Sequence, residues 1–309
     1  MMEKTMTKTS VIIPYFQKKA GTLLNALNSI SNQTALKRIQ EVIIVDDGSP
    51  IPAESELQGI SSTLVDKIKV FRVPNGGVSK ARNYALDRVS EESEYVSFLD
   101  SDDVWLKNHI FHSLQALDSG SDFHFCNFTQ LNQDVGAFER AGRVDPNEHK
   151  AIENTESLLY QGNMLSQIAL ANIIGTSTVS FRFKKFSQLR FDETYSYAGE
   201  DYHMWLSLCC DASNISFTAF ITCTYGAGVN IFSGAEWGTK HLGMRLLDEV
   251  KYREQILEQY SLDLADQNTL CQQISNKKKD FQKNMWSMLK HLQIIDVLTL
   301  LKSKRASSL

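Results

Sequence analysis

Short apolar runs alternate with amphipathic stretches over the first 130 residues of the chain. The apolar runs, at residues 10–14, 41–47, 69–73 and 95–99, are rich in β-branched and aromatic residues and predict strands. Between the first two runs, leucines and an isoleucine in residues 23–30 recur at helical spacing. Strands that are apolar on both faces and separated by helices predict an α/β fold, with a mostly parallel sheet flanked by helices.

The pattern changes in the second half of the chain. Residues 131–155 are polar and irregular and predict a loop, whereas residues 155–170 and 201–210 have helical spacing. From about residue 234 onward the pattern is mostly helical. These changes predict a first domain over residues 1–233 and a helical C-terminal extension over residues 234–309.

Composition narrows the class of protein. The 309 residues are 42% hydrophobic and 22% charged, as in a soluble globular protein with a large core. A formal net charge of -4 argues against a nucleic-acid partner. The five cysteines lack metal-site spacing, which predicts reduced thiols in a cytoplasmic protein. No apolar run reaches the ~18 residues that a bilayer-spanning helix needs.

Acidic residues follow two of the predicted strands at their carboxyl ends, where ligands bind in open parallel sheets. Asp100, Asp102 and Asp103 follow the run at 95–99, and their mutual repulsion would be relieved by a divalent cation. Oxygen ligands suit Mg2+ or Mn2+. The alternative is a solvated acidic helix N-terminus that Asp103 caps.

Three further motifs have both a functional and a structural interpretation. Asp46 and Asp47 could accept the imide N–H of uracil, or could simply belong to a turn. Residues 75–83 join a glycine turn to a helix start and suit a phosphate, or form a plain junction. Glu200 and Asp201 open a helix, as a general base or as acids that favour a helix N-terminus.

Taken together, SVIIPYF, EVIIVDDGS, NGGVSKARNYAL, YVSFLDSDDVW, TSTVSFR and FDETYSYAGEDYHMWLSL resemble glycosyltransferase family 2 over roughly residues 9–225. The resemblance implies a GT-A fold, which is Rossmann-like, and an inverting, metal-dependent glycosyltransferase. Such an enzyme transfers one sugar from a UDP-sugar to an acceptor hydroxyl and makes a β-linkage from an α-linked donor. The metal would be Mn2+ or Mg2+, and the sugar a hexose or an N-acetylhexosamine.

The resemblance also implies roles for individual residues. Those that would bind the donor are Pro14 and Tyr15 at the nucleoside, Asp46 or Asp47 at the base, Arg82 near the nucleotide, Asp100 toward the ribose, and Ser177 and Thr178 near the sugar. The metal ligands would be Asp102, as the direct ligand, and Asp100. The catalytic residues would be Asp201 as base and Glu200, which would orient the acceptor or the donor sugar.

The resemblance divides the first domain into a nucleotide-binding half, about residues 1–130, and an acceptor-binding half, about residues 131–233. The acceptor would be a glycan or a lipid-linked oligosaccharide in bacterial surface polysaccharide synthesis, such as O-antigen or capsule. The glycines at 226 and 228 suggest a mobile loop. Basic and apolar residues in 277–305 predict either a helix on the inner face of the cell membrane or a helix packed on the protein.

Two other classes of protein compete with the transferase. A nucleotidyltransferase usually has a glycine-rich basic loop after the first strand, where this chain has Pro14-Tyr15-Phe16-Gln17. A non-catalytic nucleotide-sugar-binding scaffold would need no base, and the Glu200-Asp201 pair argues against it.

Overall fold

The computed structural model describes residues 6–130, 133–226 and 234–306, with the side chains of residues 305 and 306 excepted. The chain forms two compact units. Unit 1 comprises residues 1–164, 173–191 and 207–229, and unit 2 comprises residues 165–172, 192–206 and 230–309. Both units are interleaved along the chain, and the predicted boundary at residue 233 stays a prediction.

Unit 1 contains the sheet. Its strands are β1 Thr9–Tyr15, β2 Ile39–Asp47, β3 Ile68–Val73, β4 Tyr95–Phe98, β5 Val104–Trp105, β6 Phe123–Gln130, β7 Lys150–Ala151, β8 Leu158–Leu159, β9 Ser180–Arg182 and β10 Ile215–Tyr225. Its helices are α1 Thr22–Ser31, α2 Ser62–Val65, α3 Val78–Leu86, α4 His109–Asp118 and α5 Ala137–Ala141. Short 3-10 turns lie at Leu36–Arg38, Ala53–Glu56, Pro146–Glu148 and Thr176–Thr178.

The strand order among the described residues is β3-β2-β1-β4-β9-β6-β10-β8-β7, with β5 paired to β10. Strands β3, β2, β1 and β4 are parallel, as are β6 and β10. Strand β9 runs antiparallel between β4 and β6. The predicted mostly parallel sheet flanked by helices is therefore confirmed.

Strands β1 and β2 lie in the interior of the sheet, which explains why their residues are mostly apolar. Every residue of β1 is buried, and eight of the nine residues of β2 are buried, because both strands have neighbours on each side and helices over their faces. The edge strand β3 is partly exposed, and Lys69 and Arg72 are its exposed positions. This is the burial pattern that a parallel sheet covered on both faces requires.

The predicted helix at residues 155–170 is wrong in its first half. Leu158 and Leu159 form β8, which pairs antiparallel with Ser216 and Phe217 of β10. Gly162 follows with a φ of 108°, a left-handed conformation that interrupts a right-handed helix. Strand pairing therefore outweighs the helical spacing, and the helix is confined to Met164–Leu170 (α6).

Unit 2 is helical among its described residues. It contains most of α6, the first half of α7 Glu200–Asp211, and all of α8 Lys240–Gln259, α9 Leu264–Lys290 and α10 Ile294–Ala306. The predicted helical C-terminal region is confirmed by α8 to α10. No described helix is long and apolar enough to cross a membrane.

Two histidines are buried between α4 and the sheet. His109 shares a hydrogen bond with Thr222 (2.9 Å) and stacks on Trp105, with ring centroids 4.6 Å apart. His124 shares a hydrogen bond of 2.8 Å with Ser216. Burial, followed by the nearby His112, lowers the pKa of His124 to about 3. Burial also lowers the pKa of His109 well below its ordinary value. Both imidazoles are therefore neutral in the folded protein.

We predict that His124 makes the protein acid-sensitive. Its folded pKa is lowered, so its stabilising contribution is complete above the unfolded pKa near 6.5 and is lost as pH falls toward 3. The substitution His124→Asn should reduce the pH dependence of the unfolding free energy by about 1.4 kcal/mol per pH unit between these limits. Urea unfolding at a series of pH values measures this slope. The exposed His291→Gln is the control, and an equal slope in His124→Asn and wild type would contradict the prediction.

Candidate nucleotide and catalytic site

Three strand ends are tied together at the carboxyl edge of the sheet in unit 1. After β1, the Gln17 amide donates to Ser49 Oγ (2.8 Å), which in turn donates to the Gln17 carbonyl (2.9 Å). The Gln17 side chain donates to Ser101 Oγ (3.1 Å) in the acidic segment after β4. Since the chain separates Gln17 from Ser101 by 84 residues, this network sets the position of the acidic segment relative to the first two strands.

Both acids at the end of β2 organise neighbouring loops. The Asp46 carboxylate accepts from the amides of Ser49 (2.7 Å) and Ala53 (3.0 Å) and is fully buried. The Asp47 carboxylate accepts from the amides of Gly76 (2.7 Å) and Gly77 (2.9 Å). The Asp47 carboxylate therefore fixes the glycine turn that leads into α3. The predicted contact of Asp46 or Asp47 with a base stays a prediction.

Arg72, which the sequence analysis did not identify as a site residue, contacts the turn after β2. It donates to the Ser49 carbonyl (3.0 Å), and its guanidinium nitrogen lies 3.9 Å from the Asp46 carboxylate. Its side chain is 47% exposed, so a cationic face remains accessible to solvent at the end of β2 and β3.

Pro14 and Tyr15 lie at the end of β1 and are buried. The Tyr15 hydroxyl donates to Glu56 (3.0 Å), and burial followed by this carboxylate raises the pKa of Tyr15. The other Glu56 oxygen accepts from the amides of Gly21 (3.0 Å) and Leu23 (3.1 Å), at the start of α1. Tyr15 thus contributes its ring to the protein interior and its hydroxyl to a helix cap, and its predicted contact with a nucleoside stays a prediction.

Arg82 and Asp100 form a half-buried ion pair. Arg82 Nη2 lies 2.8 Å from Asp100 Oδ1, and the guanidinium sits over the Phe191 ring at 5.1 Å from its centroid. The Arg82 side chain is almost completely buried, while the Asp100 side chain is 29% exposed. Arg82 therefore holds Asp100 at the surface of the site, which brings together two of the residues predicted from the sequence.

Ser177 connects the acidic segment to the 3-10 turn before β9. Its hydroxyl accepts from the Asp100 amide (2.9 Å) and donates to Asp103 (2.5 Å). The Ser177 carbonyl accepts from the Trp105 indole (2.6 Å). Thr178 is also fully buried and donates to the Gly175 carbonyl (2.7 Å). The hydroxyls of Ser177 and Thr178, which were predicted to lie near the donor sugar, are thus both hydrogen-bonded within the protein.

Asp103 points inward and binds the end of β10. Its second oxygen accepts from the Gly226 amide (2.9 Å). A Cβ at Gly226 would lie 1.8 Å from the Asp102 carbonyl, so only glycine allows this approach. The predicted mobile loop begins here, and its residues 227–233 lie outside the described residues.

The electrostatics of the acidic segment fit a divalent cation. Burial, followed by the charges of Asp100 and Asp102, raises the pKa of Asp103 to about 8. Carboxylate oxygens are donors that Mn2+ and Mg2+ accept. Within the described parts of the chain, no three His, Cys, Asp or Glu side chains converge on a metal position. A cation at this segment would therefore need phosphate or water oxygens to complete its shell.

Asp201 and Glu200 begin α7 in unit 2. Asp201 Oδ1 accepts from the Tyr202 amide (2.9 Å), and Asn172 Nδ2 lies 3.4 Å from Oδ2. Gly199, just before them, has a φ of 101°, and a Cβ there would lie 2.6 Å from the Tyr252 ring of α8. The close approach of Gly199 to α8 thus positions the start of α7, where acids are favoured by the helix dipole.

We predict that Ser177→Ala destabilises unit 1. The substitution leaves the Asp100 amide and the Asp103 carboxyl without a hydrogen-bond partner at this position, at a cost of about 2 kcal/mol. Urea unfolding would measure this loss. The matched control is Thr178→Ser, which keeps the hydroxyl that donates to Gly175 and should cost much less. Equal stability of the two variants would show that the bridge contributes nothing.

Comparison with known proteins assigns the chain to a family. The model of "Glycosyl transferase family 2" matches residues 10–190. The chain is 32% identical over 232 residues to the succinoglycan biosynthesis protein ExoW of Rhizobium meliloti (strain 1021), covering 74% of this chain and 71% of ExoW.

Solved structures share the fold. S. aureus TarS 1-349 in complex with UDP-GlcNAc has a TM-score of 0.58 and 21% identity, with coverage of 88% of this chain and 72% of TarS 1-349. The mannosyltransferase PcManGT from Pyrobaculum calidifontis, in complex with GDP-Man and Mn2+, has a TM-score of 0.57 and 15% identity, with coverage of 99% and 77%. The family match extends from β1 through the acidic segment and the Ser177 turn to beyond β9, and the chain belongs to glycosyltransferase family 2.

Proposed function

We propose that the protein is an inverting, metal-dependent glycosyltransferase that moves one sugar from a UDP-sugar to an acceptor hydroxyl. The observation that carries the proposal is the acidic segment, where Asp100 is held by Arg82 and Asp103 is anchored by Ser177 and Gly226. These contacts hold the backbone around Asp102 at the carboxyl ends of parallel strands, which is where nucleotides bind in such sheets.

The donor would bind along the edge formed by β1, β2 and β4. Pro14, Tyr15, Asp46, Asp47 and Arg72 border the place for the base and ribose. A uridine carrier is supported by the complex of TarS with UDP-GlcNAc, whereas PcManGT is in complex with GDP-Man. A hexose or N-acetylhexosamine would follow the diphosphate, with Asp100 toward the ribose and the Ser177-Thr178 turn at the sugar end.

Asp102 would hold Mn2+ or Mg2+, with Asp100 beside it. When bound, such a cation would stabilise the negative charge of the diphosphate that leaves. The chain's own contribution is to keep carboxylate oxygens at one place despite their repulsion. It does so with the Arg82 guanidinium and the hydrogen bonds from Ser177 and Gly226.

Asp201 would be the base. It would take the proton from the acceptor hydroxyl while the acceptor oxygen forms a bond to the anomeric carbon. The bond from that carbon to the diphosphate oxygen breaks, and UDP leaves with the electron pair. Attack opposite to the leaving group turns an α-linked donor into a β-linked product. Glu200 would orient the acceptor or the donor sugar.

The pathway would be assembly of a bacterial surface polysaccharide. ExoW takes part in succinoglycan biosynthesis, which supports a glycan or lipid-linked oligosaccharide as acceptor. The enzyme would then work in the cytoplasm, at the inner face of the cell membrane, where lipid-linked intermediates are accessible.

We predict that Asp201→Asn abolishes transfer and preserves donor binding. Asparagine keeps the size of the side chain but cannot accept the proton, so turnover should fall about a hundredfold or more. Release of UDP from a panel of UDP-sugars measures turnover, and calorimetry with UDP measures binding.

Asp211→Asn, at the exposed far end of the same helix, is the matched control and should leave both quantities unchanged. Undiminished turnover in Asp201→Asn would refute the assigned base. UDP binding without turnover in the wild-type protein would instead favour a nucleotide-sugar-binding scaffold.

A further inference from the structure

The end of the chain exposes a concentration of large apolar side chains. Six of them define what we term the C-terminal apolar face: Trp286, Leu289, Leu292, Ile295, Leu298 and Leu301. Their exposed fractions run from 37% at Leu289 to 81% at Leu292 and Ile295. Trp286 and Leu289 are one helical turn apart on α9, and Ile295, Leu298 and Leu301 follow at intervals of three on α10. Large exposed apolar side chains concentrated in one stretch of a chain are typical of an interaction site.

This surface is additional to the one that holds α10 in place. Val297 and Leu300 are buried against Phe281 and Met288 of α9 and Leu246 of α8. Gly243 of α8 permits close packing there, because a Cβ at that position would lie 2.5 Å from Leu300. The helix is therefore apolar on both faces. The predicted packing of this helix on the protein has its own residues in Val297 and Leu300, and the predicted membrane contact stays a prediction.

Leu292 lies in an unfavourable backbone conformation between α9 and α10. Its φ is 59°, in the left-handed region that glycine normally occupies after a helix. The Gln293 amide donates to the Met288 carbonyl (3.0 Å), which closes the end of α9 around this residue. A leucine here is strained and 81% exposed, so packing within the chain gives no reason for it. A strained backbone that places an apolar side chain in solvent indicates that this side chain contacts another molecule.

The charged residues around the C-terminal apolar face indicate which kind of partner it binds. Lys283, Lys290 and Lys302 lie three or four residues from Trp286 or Leu298 and so share their side of each helix. Asp296, the one acid between residues 281 and 304, lies 3.6 Å from Lys240 and is thus paired within unit 2. Asp280, just before this stretch, lies 3.6 Å from Lys283. A second copy of the chain docked by two-fold symmetry would bring two lysine-bearing faces together, whereas an anionic lipid surface attracts the lysines.

We propose that the C-terminal apolar face inserts into the surface of an anionic lipid bilayer. Leu292 and Ile295 enter the acyl region, Trp286 lies at the headgroup level, and Lys290 and Lys302 contact lipid phosphates. This inference rests on the proposed function, since a lipid-linked acceptor would be presented at such a surface. It deepens that function by assigning the membrane contact to particular side chains.

The test uses the full chain and sedimentation with vesicles of phosphatidylcholine, alone or mixed with phosphatidylglycerol. Wild type should bind the mixed vesicles and release them at high salt. Leu292→Gly should bind about tenfold more weakly, because one buried leucine is removed, yet melt at the same or a higher temperature, because glycine suits the left-handed position. Lys290→Glu should also weaken binding.

Two matched controls keep the test specific. Leu264→Ser removes a leucine that is 73% exposed at the other end of α9, and Lys37→Glu reverses an exposed charge in unit 1. Both should bind vesicles as wild type does. A wild type that ignores anionic vesicles, or a Leu292→Gly protein that binds them equally, would overturn the inference. If the protein self-associates in solution and Leu292→Gly abolishes this, the face binds a second copy of the chain, and the membrane inference is overturned.

The outcomes separate this inference from the proposed function. Calorimetry with UDP and UDP release from UDP-sugars are measured without vesicles. If both remain while vesicle binding fails, the membrane inference alone falls. If vesicle binding holds while UDP neither binds nor is released, the proposed function falls.

Discussion

The electrostatic repulsion among Asp100, Asp102 and Asp103 is the constraint on which this protein's site depends. Three carboxylates within four residues repel one another, and the fold supplies partners for Asp100 and Asp103 from distant segments. Arg82 holds Asp100, while Ser177 and Gly226 hold Asp103. Burial, followed by the charges of Asp100 and Asp102, raises the pKa of Asp103 to about 8, and a bound cation would offset the effect of those two charges. A site that is stabilised by added positive charge is suited to a donor that brings a metal and a diphosphate together.

Local pattern was sufficient to predict the parallel sheet and the acids at its edge. The strands are apolar on both faces because they are covered on both faces, and a strand followed by acids leaves those acids at the carboxyl edge. The partners of these acids could not be predicted in the same way. Ser177 and Gly226 lie 74 and 123 residues from Asp103 along the chain, and Glu56 lies 41 residues from Tyr15. Such contacts depend on the order of the strands, which spacing does not reveal. The failed helix before Met164 has the same cause, since β8 exists only because β10 lies beside it.

Several residues that sequence motifs identify as site residues also make hydrogen bonds that stabilise the fold. Asp46 and Asp47 bind the backbone of the loops after β2 and before α3, and Tyr15 supports the cap of α1. A carboxylate that organises a loop also sets the shape of any pocket that the loop lines, so structural and binding roles are compatible at one residue. At the other end of the chain, one helix divides its apolar residues between a packed face and an exposed face. The sequence pattern predicted a helical C-terminal region, but only the packing of Val297 and Leu300 shows which side chains of this helix are left outside.

The central claim is that Asp102 unites a divalent cation with a uridine diphosphate. The most direct measurement is calorimetric titration of UDP into the protein with and without Mn2+, for wild type and Asp102→Ala. We expect Mn2+ to raise the affinity of wild type for UDP about tenfold or more and to have no such effect in Asp102→Ala. Equal UDP affinity of the wild type with and without Mn2+ would contradict it, because the acidic segment would then have no part in metal-assisted donor binding.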